Sequence, residues 1–231
     1  MPYFRFALGL VVMTAIACTG GDEGNLIAID VLLQPGPRMV AEAEALNARL
    51  REEMPGGFAL DEEHVPHITL VQSYVAPSDL PRVLAAVDAV RRSHDLSQLE
   101  MRATGLYHPD WGGIGLEAIA IEPSEELLAL QQAVIEAVTP FAKSGGGESA
   151  FVPDTSGTPF EPTLFGYVGT FVPDQTGERF NPHVTVGIGP LDWLDELEQQ
   201  PFPEFTFGAV GIATYQLGNF GTASRPLDEG F

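Results

Sequence analysis

The sequence predicts an α+β fold, on three observations. Two segments of the chain match in order and character. Apolar residues recur every three to four positions in the stretches that follow their opening runs, as on one face of a helix. Short β-prone runs precede and follow those stretches. Each half therefore reads strand, helix, strand, helix, strand, and a further strand, Ile114 to Ile121, opens the second half. This sets a first lobe at about residues 25–112, a second at about 113–222, and an insertion at about 144–180 within the second. With 45% hydrophobic and 19% charged residues the chain has enough apolar mass for a core and too much for disorder.

The elements follow in order. Met1 to Cys18 read as a signal sequence: Arg5 is its one charge, and Phe6 to Ala17 form an apolar core of 12 residues, too short to span a bilayer. Ala15-Ile16-Ala17 before Cys18 resembles a bacterial lipobox, which implies lipidation of Cys18 and a tether over 19–24. A plain secretory peptide, or a buried first strand, is the alternative. Leu26 to Asp30 is an apolar run ending in an acid, and Met39, Ala43, Leu46 and Leu50 then mark one helix face. After Pro66-His67-Ile68-Thr69-Leu70, Ser78 caps a helix with Leu80, Val83, Leu84, Val87 and Val90, and Leu99 to Tyr107 closes the half. The second half repeats this. Ala118 to Glu122 is its apolar run. Ser124 caps a helix with Leu127, Leu130, Val134, Val138 and Phe141, and Glu125 and Glu126 suit its first turn. Pro182-His183-Val184-Thr185-Val186 follows, then a short helix from Pro190 with Leu191, Leu194 and Leu197, then Phe205 to Leu217.

The halves differ in one place. From Asp30 to His67 is 37 residues and from Glu122 to His183 is 61, a surplus of 24 between Lys143 and Asn181. This stretch carries Gly145-Gly146-Gly147 and two Phe-Val-Pro-Asp copies, at Phe151 and Phe171. Its Gly and Pro content predicts a loop or small hairpin and no helix. Beside a site such a segment is a lid; otherwise it is a solvent-facing excursion.

Chemistry concentrates at His67-Ile68-Thr69 and His183-Val184-Thr185. Residues two apart on a strand share a face, so each motif presents one imidazole and one hydroxyl together, with Ile68 or Val184 turned into the core. If the lobes face each other, one groove holds both pairs. That set suits a phosphodiester: one imidazole as base, one as acid, and the hydroxyls of Thr69 and Thr185 donating to non-bridging oxygens. The chemistry calls for no metal and no cofactor. Two His-x-Thr motifs, both preceded by proline and one in each half of a repeat, resemble the 2H phosphoesterase superfamily, more narrowly its 2′-5′ RNA ligase/cyclic phosphodiesterase type, over about residues 25–220. The resemblance implies a bilobal fold, mainly of antiparallel sheets with helices outside and a central groove. It implies His67 and His183 as the acid/base pair and Thr69 and Thr185 as phosphate holders.

Other residues have weaker claims. Tyr107 and Tyr215 end comparable strands and could stack on a base; Arg179, four residues before His183, could reach a phosphate. His64 suggests a metal reading with His183 and Glu63, but Pro66 and strand spacing oppose it. His94 reads as a helix-end residue, His108 as a solvated turn histidine. Asp154, Asp174 and Glu178 match no calcium loop. The net charge of −21 excludes duplex DNA or bulk RNA as a partner and favours a small phosphodiester. A single cysteine excludes disulfides and a cysteine-rich zinc site. The expectation is thus a monomeric, exported, membrane-anchored phosphodiesterase. The competing expectation is a non-catalytic lipoprotein that holds a phosphorylated ligand in the same groove.

Overall fold

The structure is a computed structural model that describes residues 25–62, 64–153 and 159–228. The signal-like stretch, Cys18, the tether, Glu63 and Asp154 lie outside the described residues. The elements run β1 (Ile27–Pro35), α1 (Pro37–Glu53), β2 (Ile68–Val75), α2 (Leu80–Ser93), β3 (Glu100–Tyr107), β4 (Asp110–Trp111), β5 (Ile114–Ile121), α3 (Glu125–Val138), β6 (Ala142–Lys143), α4 (Thr163–Asp174), β7 (His183–Gly189), α5 (Leu191–Glu198), β8 (Phe205–Leu217) and β9 (Ala223–Pro226). The fold is mixed α and β. Every strand pairing among the described residues is antiparallel.

Two sheets share one strand. The first has the order β6-β2-β1-β8, with β9 on β8; the second joins β3, β5 and β7, with β4 on β5. The long β8 links them. Its start, Phe205 to Gly208, pairs with β3, and its remainder pairs with β1. The division of the chain near residue 112 is therefore not the division between sheets. The strand that closes each sequence half crosses to the sheet of the other half.

The helices exchange as well. Met39, Ala43, Leu46 and Leu50 are buried, as their spacing predicts, but α1 rests on β7 of the second sheet. Likewise α3 buries Leu127, Leu130, Val134 and Val138 and rests on β2 of the first. Ser124 caps α3 by accepting from the Leu127 N–H. Ser78 does not cap α2: it lies inside a short 3-10 turn, Pro77–Asp79, and Asp79 takes the boundary position. The proline at position 77 sets the turn before the helix can start. The pattern of pairing is alike in the two sheets and consistent with a repeat.

Each motif strand carries an extra residue. Val31 pairs with Val71 and Leu32 with Thr69, so Leu70 has no partner; Glu117 pairs with Gly187 and Ala118 with Thr185, so Val186 has none. Such bulges sharpen the local twist and re-aim side chains. The freed carbonyls are met from the helices. Asn47 of α1 donates to the Val186 carbonyl at 2.8 Å, and Gln131 of α3 donates to the Leu70 carbonyl at 3.2 Å. Asn47 also ties down the loop ahead of β2, donating to the Phe58 carbonyl and accepting from the Leu60 N–H. This loop leads directly to His67.

The insertion contains a helix, contrary to expectation. In α4 the buried residues Leu164, Val168 and Phe171 fall at helical spacing and pack toward β2. Gly166, Gly169 and Pro173 weaken a helix by about 1–3 kcal/mol each, yet Pro173 sits in the last turn, and burying three large side chains at ~1.5–3 kcal/mol each outweighs them. Phe151 and Phe160 ahead of α4 cluster with Phe165 in its first turn, and Phe151 meets Tyr74 edge-on. Gly146 lies flat on Tyr74; a Cβ there would be 2.1 Å from the ring.

Candidate active site

Both motifs open onto one cavity of about 250 Å³, lined by His67, Thr69, His183 and Thr185. Ile68 and Val184 are fully buried on the opposite side, as strand alternation requires. The Nδ1 atoms of the two imidazoles are fixed by backbone two residues upstream: His67 to the Val65 carbonyl at 2.6 Å, His183 to the Asn181 carbonyl at 2.8 Å. Since a carbonyl only accepts, Nδ1 carries hydrogen in both rings, and Nε2 is the working atom of each.

The two rings then differ. Asp30, the acid that ends the first apolar run, is fully buried in β1, and its Oδ2 stands 3.5 Å from His67 Nε2. The same oxygen accepts from the Thr69 hydroxyl at 2.7 Å and from Gln72 at 3.2 Å. Burial draws the His67 pKa down, but the hydrogen bond and charge of Asp30, with the Val65 carbonyl, outweigh it, and the net direction is up. His183 moves the other way. Burial lowers its pKa, the Asn181 carbonyl offsets part of this, and the nearby charge of His67 lowers it again. At neutral pH the pair is biased toward a protonated His67 and a neutral His183.

A family model described as the 2′-5′ RNA ligase superfamily matches residues 35–219. The chain belongs to this superfamily. No curated protein matches the chain.

In this member of the 2′-5′ RNA ligase superfamily the groove is walled by aromatic rings. Tyr107 stands edge-on to His183 with 5.6 Å between centroids, and α4 contributes Tyr167 and Phe171. Burial pushes the Tyr107 phenol well above its ordinary range and that of Tyr167 up to about 12, so both stay neutral walls. The insertion thus lines the groove and is no solvent-facing excursion. No Lys or Arg lines the cavity among the described residues; amides of Gln72, Gln175 and Asn181 supply polarity.

Some expected residues lie elsewhere. Tyr215 is buried against Leu32, Ala213, Ala223 and Val65, away from the cavity, because β9 and the loop before β2 cover it. Arg179 is exposed in a short turn and does not line the cavity; its neighbours Phe180 and Asn181 do. His64 contacts Asp61 and stacks on Phe58. His94 closes α2 through the Val90 carbonyl. His108 is no solvated turn residue: its side chain is 10% exposed and lies among Glu117, Asp195 and Glu198, because α5 folds over it. Sequence reasoning missed the role of Asp30, although an acid in the middle of Ile27-Ala28-Ile29-Asp30-Val31-Leu32-Leu33 is costly to bury and signals a partner.

Proposed function

We propose that the protein is a metal-independent phosphodiesterase for small cyclic or 2′,5′-type phosphodiesters, held outside the cytoplasm by a lipid on Cys18. The observation that carries this reading is the placement of Asp30 beside Nε2 of only one of two imidazoles that open onto one small cavity. Neutral His183 accepts a proton from water through Nε2 as the water oxygen bonds to phosphorus. The opposite P–O bond breaks, and Nε2–H of His67 gives its proton to the departing oxygen. Both steps are general acid–base catalysis, each worth roughly 10²–10⁴-fold. The Thr185 hydroxyl donates to a non-bridging oxygen. The Thr69 hydroxyl donates a hydrogen bond to Asp30 and so acts as a link between acid site and carboxylate.

The cavity is small against the ~300–1,000 Å³ usual for small-molecule sites. Its aromatic walls suit the ring of a nucleoside, and the acidic surface disfavours a long polyanion. The test is turnover of a 2′,3′-cyclic mononucleotide by the purified domain with EDTA present. Single His67→Ala and His183→Ala variants should each lose at least ~100-fold in kcat/KM. Tight ligand binding without turnover by the wild-type protein would instead leave a binding lipoprotein.

A further inference from the structure

The face of β5 turned away from the groove holds a second group of ionisable side chains. Leu116 and Ala118 line the groove, while Glu117 between them points to the other side, beneath α5. There the donor atoms of His108, Glu117 and Glu198 lie within 4.8 Å of one another. His108 Nδ1 is 2.5 Å from Glu198 Oε1 and 3.9 Å from Glu117 Oε2, and its Nε2 is 3.7 Å from Asp195 Oδ1. Gly115 permits this approach: a Cβ there would stand 2.2 Å from Leu194 and 3.0 Å from the His108 ring.

Glu117 is the telling member. It is fully buried, and neither carboxylate oxygen has a hydrogen-bond partner among the described residues. Burial, with the charge of Glu198, pushes its carboxyl up to about 8. Burying a carboxylate that has no hydrogen bond costs several kcal/mol. Protonation would relieve the charge but leave a hydroxyl with the same acidic neighbours.

We propose that His108, Glu117 and Glu198 form a divalent-cation site of the zinc class, with Asp195 orienting the imidazole through its second nitrogen. One imidazole and two carboxylates match the donor types of such ions, and metal-bound histidines usually donate their other N–H to a carboxylate. Ligands at ~2.0–2.2 Å from one ion stand on the order of 3–3.6 Å apart, so Glu117 must close on the other two donors as the ion enters. Glu198 and Asp195 are 28% and 70% exposed, which leaves a path from solvent. The ion would clamp α5 to β5 and play no part in the groove, so this inference does not rest on the phosphodiesterase reading.

The test is a calorimetric titration of the chelator-stripped protein with Zn²⁺, with melting curves of the same samples. One equivalent should bind and raise the melting temperature by several degrees, and a tenfold excess of Mg²⁺ should not displace it. Glu117→Gln and Glu198→Gln should each weaken binding on the order of 100-fold, and Asp195→Asn about 10-fold. Metal-free Glu117→Gln should melt at or above the metal-free wild type, since an amide carries no charge and offers N–H donors to the neighbouring Glu198 and His108. Binding should persist in a His67→Ala, His183→Ala double variant. The proposal is overturned if the wild type shows no saturable binding, if Mg²⁺ displaces Zn²⁺, if Glu117→Gln binds as before or melts lower, or if the double variant loses the ion.

Discussion

Asp30 decides which imidazole carries the proton. A raised His67 pKa and a lowered His183 pKa place the working range between them. Activity needs neutral His183, which sets an acid limb below 6.5, and protonated His67, which sets an alkaline limb above 6.5. Asp30→Asn removes the charge that raises His67, and burial then dominates. The alkaline limb should move to lower pH, and further than the acid limb, which Asp30 touches only through its charge, as read from kcat/KM against pH. An unmoved alkaline limb would show that Asp30 does not tune His67. Stability follows the same sign. The His67–Asp30 contribution is full below pH 6.5 and is lost as pH rises through the folded-state pKa. The two histidines and two threonines were legible because their spacing and repetition are local. Asp30 was not, since its partners sit 37, 39 and 42 positions away and depend on strand register.

At the scale of elements, the two buried amides hold the bulges that aim the motifs. Asn47→Ala leaves the Val186 carbonyl without its donor and empties part of the loop before β2. It should cost about 1–3 kcal/mol by chemical denaturation, and kcat/KM should fall even where the protein remains fully folded. Gln131→Ala should act likewise through Leu70. Unaltered activity in both variants would separate the bulges from catalysis. Periodicity revealed α1 and α3 well, because burial of one helix face is written every three to four residues. It hid α4, where Gly166, Gly169 and Pro173 mask a stripe of Leu164, Val168 and Phe171 that tertiary burial sustains. It also could not show that α1 and α3 cover each other's sheets, since a helix face does not name what it meets.

For the whole molecule, the excess of acid is the governing number. With 32 Asp and Glu against 11 Lys and Arg, self-repulsion opposes the compact state. Raising ionic strength from ~0.01 to ~0.15 M shortens the screening length from ~30 to ~8 Å. The melting temperature should therefore rise by a few degrees in added NaCl, measured by scanning calorimetry at neutral pH with chelator present. A fall would mean that the surface ion pairs, such as Arg102 with Glu122 and Glu204, outweigh the repulsion. The doubled pattern was readable along the chain; the crossing of closing strands was not, because it is a fact of pairing and leaves no local mark.

That crossing means the chain cannot be divided at its apparent midpoint. A fragment ending near residue 112 would carry β3 with no β5 to flank it, and a fragment starting there would carry β8 with no β1. Neither piece owns a finished set of strands, so the two would have to find each other before either could hold its shape.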